Sequence, residues 1–294
     1  MDINKFQKIT VTKCDKNEKI FSYLKKLGYS QNYITNLKKQ EGFILLNNTP
    51  VFIDHKLKPN DEILITKNPN IKTTIKSLDL PLCIVYEDND ILVVNKPSNL
   101  ACMPSKSHYT NNLAGAIVNY MQNKDNNFVL RIINRLDKDT AGLVIIAKNS
   151  LIANQLNSGN FIQKTYYCLC EGIIKDSMVI NKNILTTKNS LGFNNLKREI
   201  SSAGKPASTF VTPVSFFSNY TLCKVKLEHG RTHQIRLHMS CINHSLLGDE
   251  LYGQKSNLID HTALVCKEIS IFHPTKKINI NININFPDDF KKLI

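Results

Sequence analysis

The stretch 129–149, VLRIINRLDKDTAGLVIIAKN, packs Arg135, Asp137, Lys138 and Asp139 into one polar loop between two apolar runs. A carboxylate at the tight end of two buried strands is held rigidly, as a nucleophile must be. The arginine beside it favours the charged carboxylate. On residue types alone, the same loop also reads as an exposed turn of mixed charge. A second stretch, 227–253, LEHGRTHQIRLHMSCINHSLLGDELYG, places Ile235, Met239 and Ile242 at helical spacing after Gly230. Arg231 then stands at the helix entrance, where it can point into a cleft. His229, His233, His238 and His244 raise the question of a metal. No Glu follows the H-x-x-x-H pair in zincin fashion and no cysteine completes a tetrahedral set, so no metal site is expected.

The elements that must position these loops are legible as short periodic segments. After Pro81 come strand-like runs, CIVYE, ILVVN, LVIIA, TYYCLC, TLCKVKLE and KININININ, with a few helical stretches such as NNLAGAIVNYMQN. Hairpin-length connections outnumber helical crossovers, which predicts an α+β domain with a large mixed, mostly antiparallel sheet. The strict Ile/Asn alternation of 278–285 reads as one strand with a buried face.

Ahead of it, KNEKIFSYLKKLGYS predicts a helix through Ile20, Phe21, Leu24 and Leu27. Gly28 ends it, Ser30 can cap a second helix through QNYITNLKKQ, and Gly42 ends that one. GFILL-NN-TPVF then reads as two strands around Asn47-Asn48, followed by the strand EILIT. The chain thus divides into a small α/β module at 1–68 (core about 14–66), a polar linker at 69–80, and a larger domain at 81–294.

Charge narrows the partner. Lys plus Arg number 38 against 24 Asp plus Glu, a net charge of +14, which favours a polyanion. Lys25, Lys26, Lys38 and Lys39 sit on the helices of the first module; they read equally as a solvated face or as nucleic-acid contacts. The eight cysteines form no C-x-x-C pair and read as reduced structural residues of a cytoplasmic protein. No apolar run approaches the ~20 residues that span a bilayer. The opening MDINKFQKITV carries charges where a signal peptide is apolar, so neither secretion nor membrane insertion is expected.

Longer motifs sharpen the picture. R-L-D-x-x-T-x-G at 135–142, A-K-N at 147–149, K-T-Y at 164–166 and G-R-T-H-Q-I-R-L-H…L-L-G-D-x-L-Y-G at 230–253 occur in that order. With N-K-P-S-N-L at 95–100, F-H-P at 272–274 and F-P-D-D-F at 286–290, they resemble the RluA-type pseudouridine synthases, over about residues 81–290. The first module's Q-E-G-F-I-L-L-N-N-T-P-V…L-K-P-N-D-E-I resembles the RNA-binding domain named after ribosomal small-subunit protein S-four. Departures from the family pattern are Asn134 for a histidine, Asn99 for a glycine, Met103 for a later histidine, and Ala141 for a serine.

The resemblance implies isomerisation of uridine within RNA, without cofactor or metal, by a monomer with a central RNA-binding cleft. Asp137 matches the catalytic aspartate, acting by covalent attack on the anomeric carbon or by a glycal-type route. Tyr166 matches the tyrosine that stacks on the flipped base and can serve as a proton-transfer group, and Arg231 the arginine that pairs with the aspartate. Arg135, as the base-flipping residue, Thr140, Lys164 and Ile235 are assigned to the substrate. Large-subunit ribosomal RNA is the expected substrate, with transfer RNA the alternative. A catalytically inert RNA binder has no reason to keep Arg135, Asp137, Tyr166 and Arg231 together. A zinc deaminase needs a P-C-x-x-C segment that is missing. Asp137 and Asp139 lie on one loop, not on two sides of a sugar as a glycosidase requires.

Overall fold

The computed structural model describes residues 6–294 apart from 16, 30, 38–42, 67–74, 106–107, 125–127, 160 and 188–196. Strand β1 (Phe6–Thr10) opens the chain, followed by α1 (Ile20–Lys26), α2 (Gln31–Leu37), β2 (Ile44–Leu46), β3 (Thr49–Pro50) and β4 (Glu62–Thr66). The strands form one sheet in the order β1-β4-β2-β3. Asn47 and Asn48, at φ of 50° and 66°, make the left-handed two-residue turn that suits the twist of the β2–β3 hairpin. Ile20, Leu24, Ile34, Ile63 and Ile65 fill the core beneath the helices without solvent exposure. Strand β1 has no counterpart in the sequence reading. Its partner β4, matched Phe6 to Thr66, lies far along the chain, where local periodicity carries no information.

Lys26 is held between Asp15 and Glu18, so its charge is spent inside the module. Lys25 is exposed. Lys38, Lys39, the Ser30 cap, the Gly42 stop and the first part of the expected linker lie outside the described residues. At the linker's far end, the Leu78 N–H donates to Gly115 O at 3.0 Å and Ser77 Oγ to Asn119 at 2.7 Å.

The second part contains β5 (Cys83–Glu87), β6 (Ile91–Lys96), α3 (Leu113–Gln122), β7 (Ala141–Ala147), α4 (Ser150–Ser158) and β8 (Ile162–Glu171). It continues through β9 (Met178–Asn181), β10 (Ile184–Leu185), β11 (Glu199–Ile200), β12 (Ser208–Phe216) and β13 (Tyr220–Leu227). It ends with α5 (Gln234–Ser240), β14 (Leu264–Phe272), β15 (Asn279–Asn283) and α6 (Asp288–Lys291). A nine-stranded sheet runs β5-β6-β7-β14-β8-β13-β12-β9, with β15 on β14. The β7–β14 pair is parallel and the others antiparallel, an α+β fold on a mixed, mostly antiparallel sheet. Every residue of β7, AGLVIIA, is buried, which is why it reads as a continuous apolar run and not as an alternation. Asn112 and Asn149 cap α3 and α4 by accepting from the N–H of Gly115 and Ile152, both at 2.9 Å. Leu151 of α4 joins the core of the first module, so the two parts share an apolar contact. No helix among the described residues is long and apolar enough to cross a membrane.

Candidate active site

Residues 134–140 connect an irregular strand-like run to β7, and four contacts fix that loop. Asn134 is buried; its side chain accepts from Ile145 N–H at 2.8 Å and donates to Leu143 O at 3.1 Å, imitating a strand partner. The Leu136 N–H donates to Cys102 Sγ at 3.4 Å. Lys96 is wholly buried and gives its ammonium hydrogens to the carbonyls of Pro97, Leu100 and Lys138 at 2.8, 2.8 and 2.9 Å. The Thr140 N–H closes the turn onto Asp137 O at 3.2 Å. Just beyond, Gly142 has a φ of 116°, and a Cβ there would sit 2.3 Å from Cys266 O on β14. Glycine is therefore required where β7 enters the sheet. Asp137, 28% exposed, is left at the tip.

What faces that carboxylate comes from α5. Arg236 Nη1 lies 3.9 Å from Asp137 Oδ2, and His233 Nε2 lies 3.9 Å from Oδ1. Arg236 is itself buried, and a buried guanidinium needs a carboxylate. Asp249, with no exposure, supplies it in a two-point fork: Nε to Oδ2 at 2.8 Å and Nη2 to Oδ1 at 2.6 Å. Burial works against the charge of Arg236, but the Asp249 hydrogen bonds and charge outweigh it and raise its pKa further. The fork leaves Nη1 for Asp137. Burial pushes His233 below the ordinary histidine range, against the pull of Asp137 and with the help of Arg236, so its imidazole is neutral near pH 7. His233 enters α5 in the left-handed conformation (φ 58°), which turns its ring back toward Asp137 and Tyr252.

A cleft of about 440 Å³ opens over these groups. Asp137, Tyr166, Arg231, Arg135, Thr140, Lys164 and Ile235 all line it, although they come from three separate stretches of chain. Arg135 and Lys138 are exposed at its mouth. Thr140 and Ile235 are 2% and 4% exposed and offer the cleft little beyond an edge. Tyr166 stands on β8; burial first, then the neighbouring Cys266 and Asp137, push its phenol far above the ordinary range, so it stays neutral.

Arg231 is not the arginine at Asp137. Its Nε–H donates to Pro206 O at 3.2 Å, while its own N–H is capped by Gln234 Oε1 at 3.0 Å. The partner is Arg236, five residues later. A charge set among Ile235, Leu237 and Met239 is the signal that identifies it, because a charge buried with such residues must be paired inside the fold. Lys96, Cys102, Asp249 and Tyr252 carry no site role in the sequence, and His233 enters it only among the histidines weighed for a metal. Asn99, where a glycine was expected, has a φ of 59°, a conformation asparagine tolerates. Met103 lines the cleft and Ala141 begins β7 in the core.

Residues 90–241 match the family model described as RNA pseudouridylate synthase. The chain belongs to the RNA pseudouridylate synthase family. The synthase is 30% identical over 278 residues to the Uncharacterized RNA pseudouridine synthase YjbO of Bacillus subtilis (strain 168), covering 92% of this chain and 96% of that protein. It is 32% identical over 290 residues to Ribosomal large subunit pseudouridine synthase D of Buchnera aphidicola subsp. Acyrthosiphon pisum (strain APS), covering 90% and 89%. Among solved structures, Human RNA Pseudouridylate Synthase Domain Containing 1 shares the fold, with a TM-score of 0.57 at 22% identity over 70% of this chain and 84% of that one. The synthase is accordingly an isomerase that acts on RNA.

Proposed function

We propose that the synthase isomerises a uridine in large-subunit ribosomal RNA, with Asp137 acting at the anomeric carbon. The observation that carries this reading is the carboxylate itself, partly exposed in the cleft between a fixed guanidinium and a neutral imidazole. The bond from the anomeric carbon to nitrogen 1 of uracil breaks, and carbon 5 takes its place. Carbon 5 gives up its proton and nitrogen 1 gains one, so the atoms balance without an outside reagent. Arg236 orients Asp137 through one oxygen and offsets its charge. Neutral Tyr166 lines the cleft, where its ring can pack against the base and its phenol can take part in the proton transfer. Arg135, exposed at the mouth, fills the stack that the extruded uridine leaves, a step costing a few kcal/mol. Lys164 and Arg231 meet the flanking backbone.

The ribosomal assignment rests on relatives such as the Buchnera synthase D, whose name specifies the large subunit. The first module, with its two helices and four-stranded sheet, is assigned to RNA binding through Lys25, Lys38 and Lys39, in keeping with its resemblance to the S-four domain. A cytoplasmic monomer suits that substrate. Mapping pseudouridines in total RNA from cells with and without the gene tests the reading. A position lost from large-subunit RNA is expected; a loss confined to transfer RNA replaces the substrate, and no loss at all removes the function.

A further inference from the structure

Tyr252 lies 3.0 Å from His233 Nδ1 through its hydroxyl, and the same oxygen accepts the Arg198 N–H at 2.6 Å. A phenol carries one hydrogen. Among the described residues, His233 Nδ1 is the one atom within hydrogen-bond distance that can accept it, which it does when it carries no hydrogen itself. With Nδ1 accepting, a neutral imidazole must carry its hydrogen on Nε2, the nitrogen that faces Asp137 Oδ1. The other tautomer would aim a lone pair at a carboxylate and leave the Tyr252 hydrogen unused.

We propose that Tyr252 is a positioning residue: it locks His233 as the Nε2–H tautomer, which presents a neutral donor to Asp137 Oδ1 opposite Arg236 at Oδ2. At 3.9 Å the contact is electrostatic in the free enzyme and closes to a hydrogen bond when substrate fills the cleft. The chemistry favours a neutral donor here. One cation already faces Asp137, and an imidazolium in addition would hold the carboxylate's electrons when they are needed at the anomeric carbon. The same short segment builds both arms. Asp249 forks Arg236 and accepts the Tyr252 N–H at 3.1 Å, and the Tyr252 ring lies 5.5 Å from the guanidinium. The G-D-x-L-Y-G run at 248–253 is thereby tied to the two groups that flank the reacting carboxylate.

The proposal rests on Asp137 being the reacting group, and its test separates the two ideas. In protein labelled with nitrogen-15 histidine, the resonances missing from His233→Asn belong to His233; asparagine keeps the left-handed backbone at that position. Those resonances should show a protonated Nε2 and a bare Nδ1 at neutral pH. No turnover enters this measurement. For the rate, tritium release from RNA bearing uridine tritiated at carbon 5, prepared from cells lacking the gene, is followed in single turnover at saturating enzyme. Tyr252→Phe should slow release on the order of 10-fold, the worth of one hydrogen bond, with RNA affinity unchanged. In the His233→Asn background the same substitution should change nothing further, an outcome that a merely structural role for the hydroxyl does not give. A protonated Nδ1, an imidazolium, an unchanged Tyr252→Phe rate or additive losses would each overturn the proposal. Activity retained by Asp137→Asn would instead sink the assignment of Asp137, whatever the tautomer.

Discussion

Lys96 reaches across 42 residues of sequence to hold the carbonyl of Lys138, the residue after Asp137, at 2.9 Å. The aspartate is thus clamped from the β6 side by a buried ammonium whose other two bonds close its own loop. Lys96→Met should free that loop and lower the single-turnover rate by up to about 100-fold, since small misplacements of a reacting group are costly. Burial, only partly countered by Cys102, Asp139 and Asp137, lowers the Lys96 pKa from 10.5 to about 8. The unfolded chain then binds this proton more tightly than the folded one, so stability rises with pH between those two values. Relative to Lys96→Met, the native protein should gain up to about 3 kcal/mol across that window, read by urea unfolding of both proteins.

Asp137→Asn keeps shape while removing charge and nucleophilicity. Isomerisation should vanish while RNA affinity stays within a few fold, as measured by tritium release and filter binding. Turnover above a trace of the native rate would move the chemistry to another group.

The two arginines of the R-T-H-Q-I-R run should separate cleanly. Arg236→Lys keeps a charge but loses the fork to Asp249, and should cut the single-turnover rate on the order of 10- to 100-fold at unchanged affinity. Arg231→Ala should weaken RNA binding and leave the rate at saturating enzyme untouched. The reverse pattern would return the aspartate's partner to Arg231.

Gly142→Ala forces a side chain into a φ of 116° and against Cys266 O. A loss of about 3 kcal/mol or more is expected from strain and displacement of β14, measured by thermal and urea unfolding. Wild-type stability would show that the β7–β14 contact yields more easily than its geometry implies.

Replacing Lys25, Lys38 and Lys39 together by alanine should weaken RNA binding and flatten its salt dependence, each lost phosphate contact removing roughly 0.7–0.9 from the logarithmic slope. The rate at saturation should not move. Lys26→Ala, whose charge is already engaged by Asp15 and Glu18, should leave the slope unchanged.

The sequence by itself determined the strands and helices of the motif segments, because β7 and α3 carry their apolar pattern within a few residues. It determined the Asn47-Asn48 turn through residues that accept a left-handed backbone. It also marked Asp137 and the stretches that line the cleft, since the order of long motifs is local information. Only the tertiary structure decided which arginine serves that aspartate. Arg231 and Arg236 are chemically the same, five residues apart; the choice is made by the left-handed entry at His233 and by Asp249, which arrives from a later turn. The β1–β4 pairing, the Lys96 clamp and the Tyr252–His233 contact were equally hidden. Each joins groups that carry no periodic relation to one another, and they meet only once the chain has closed around them.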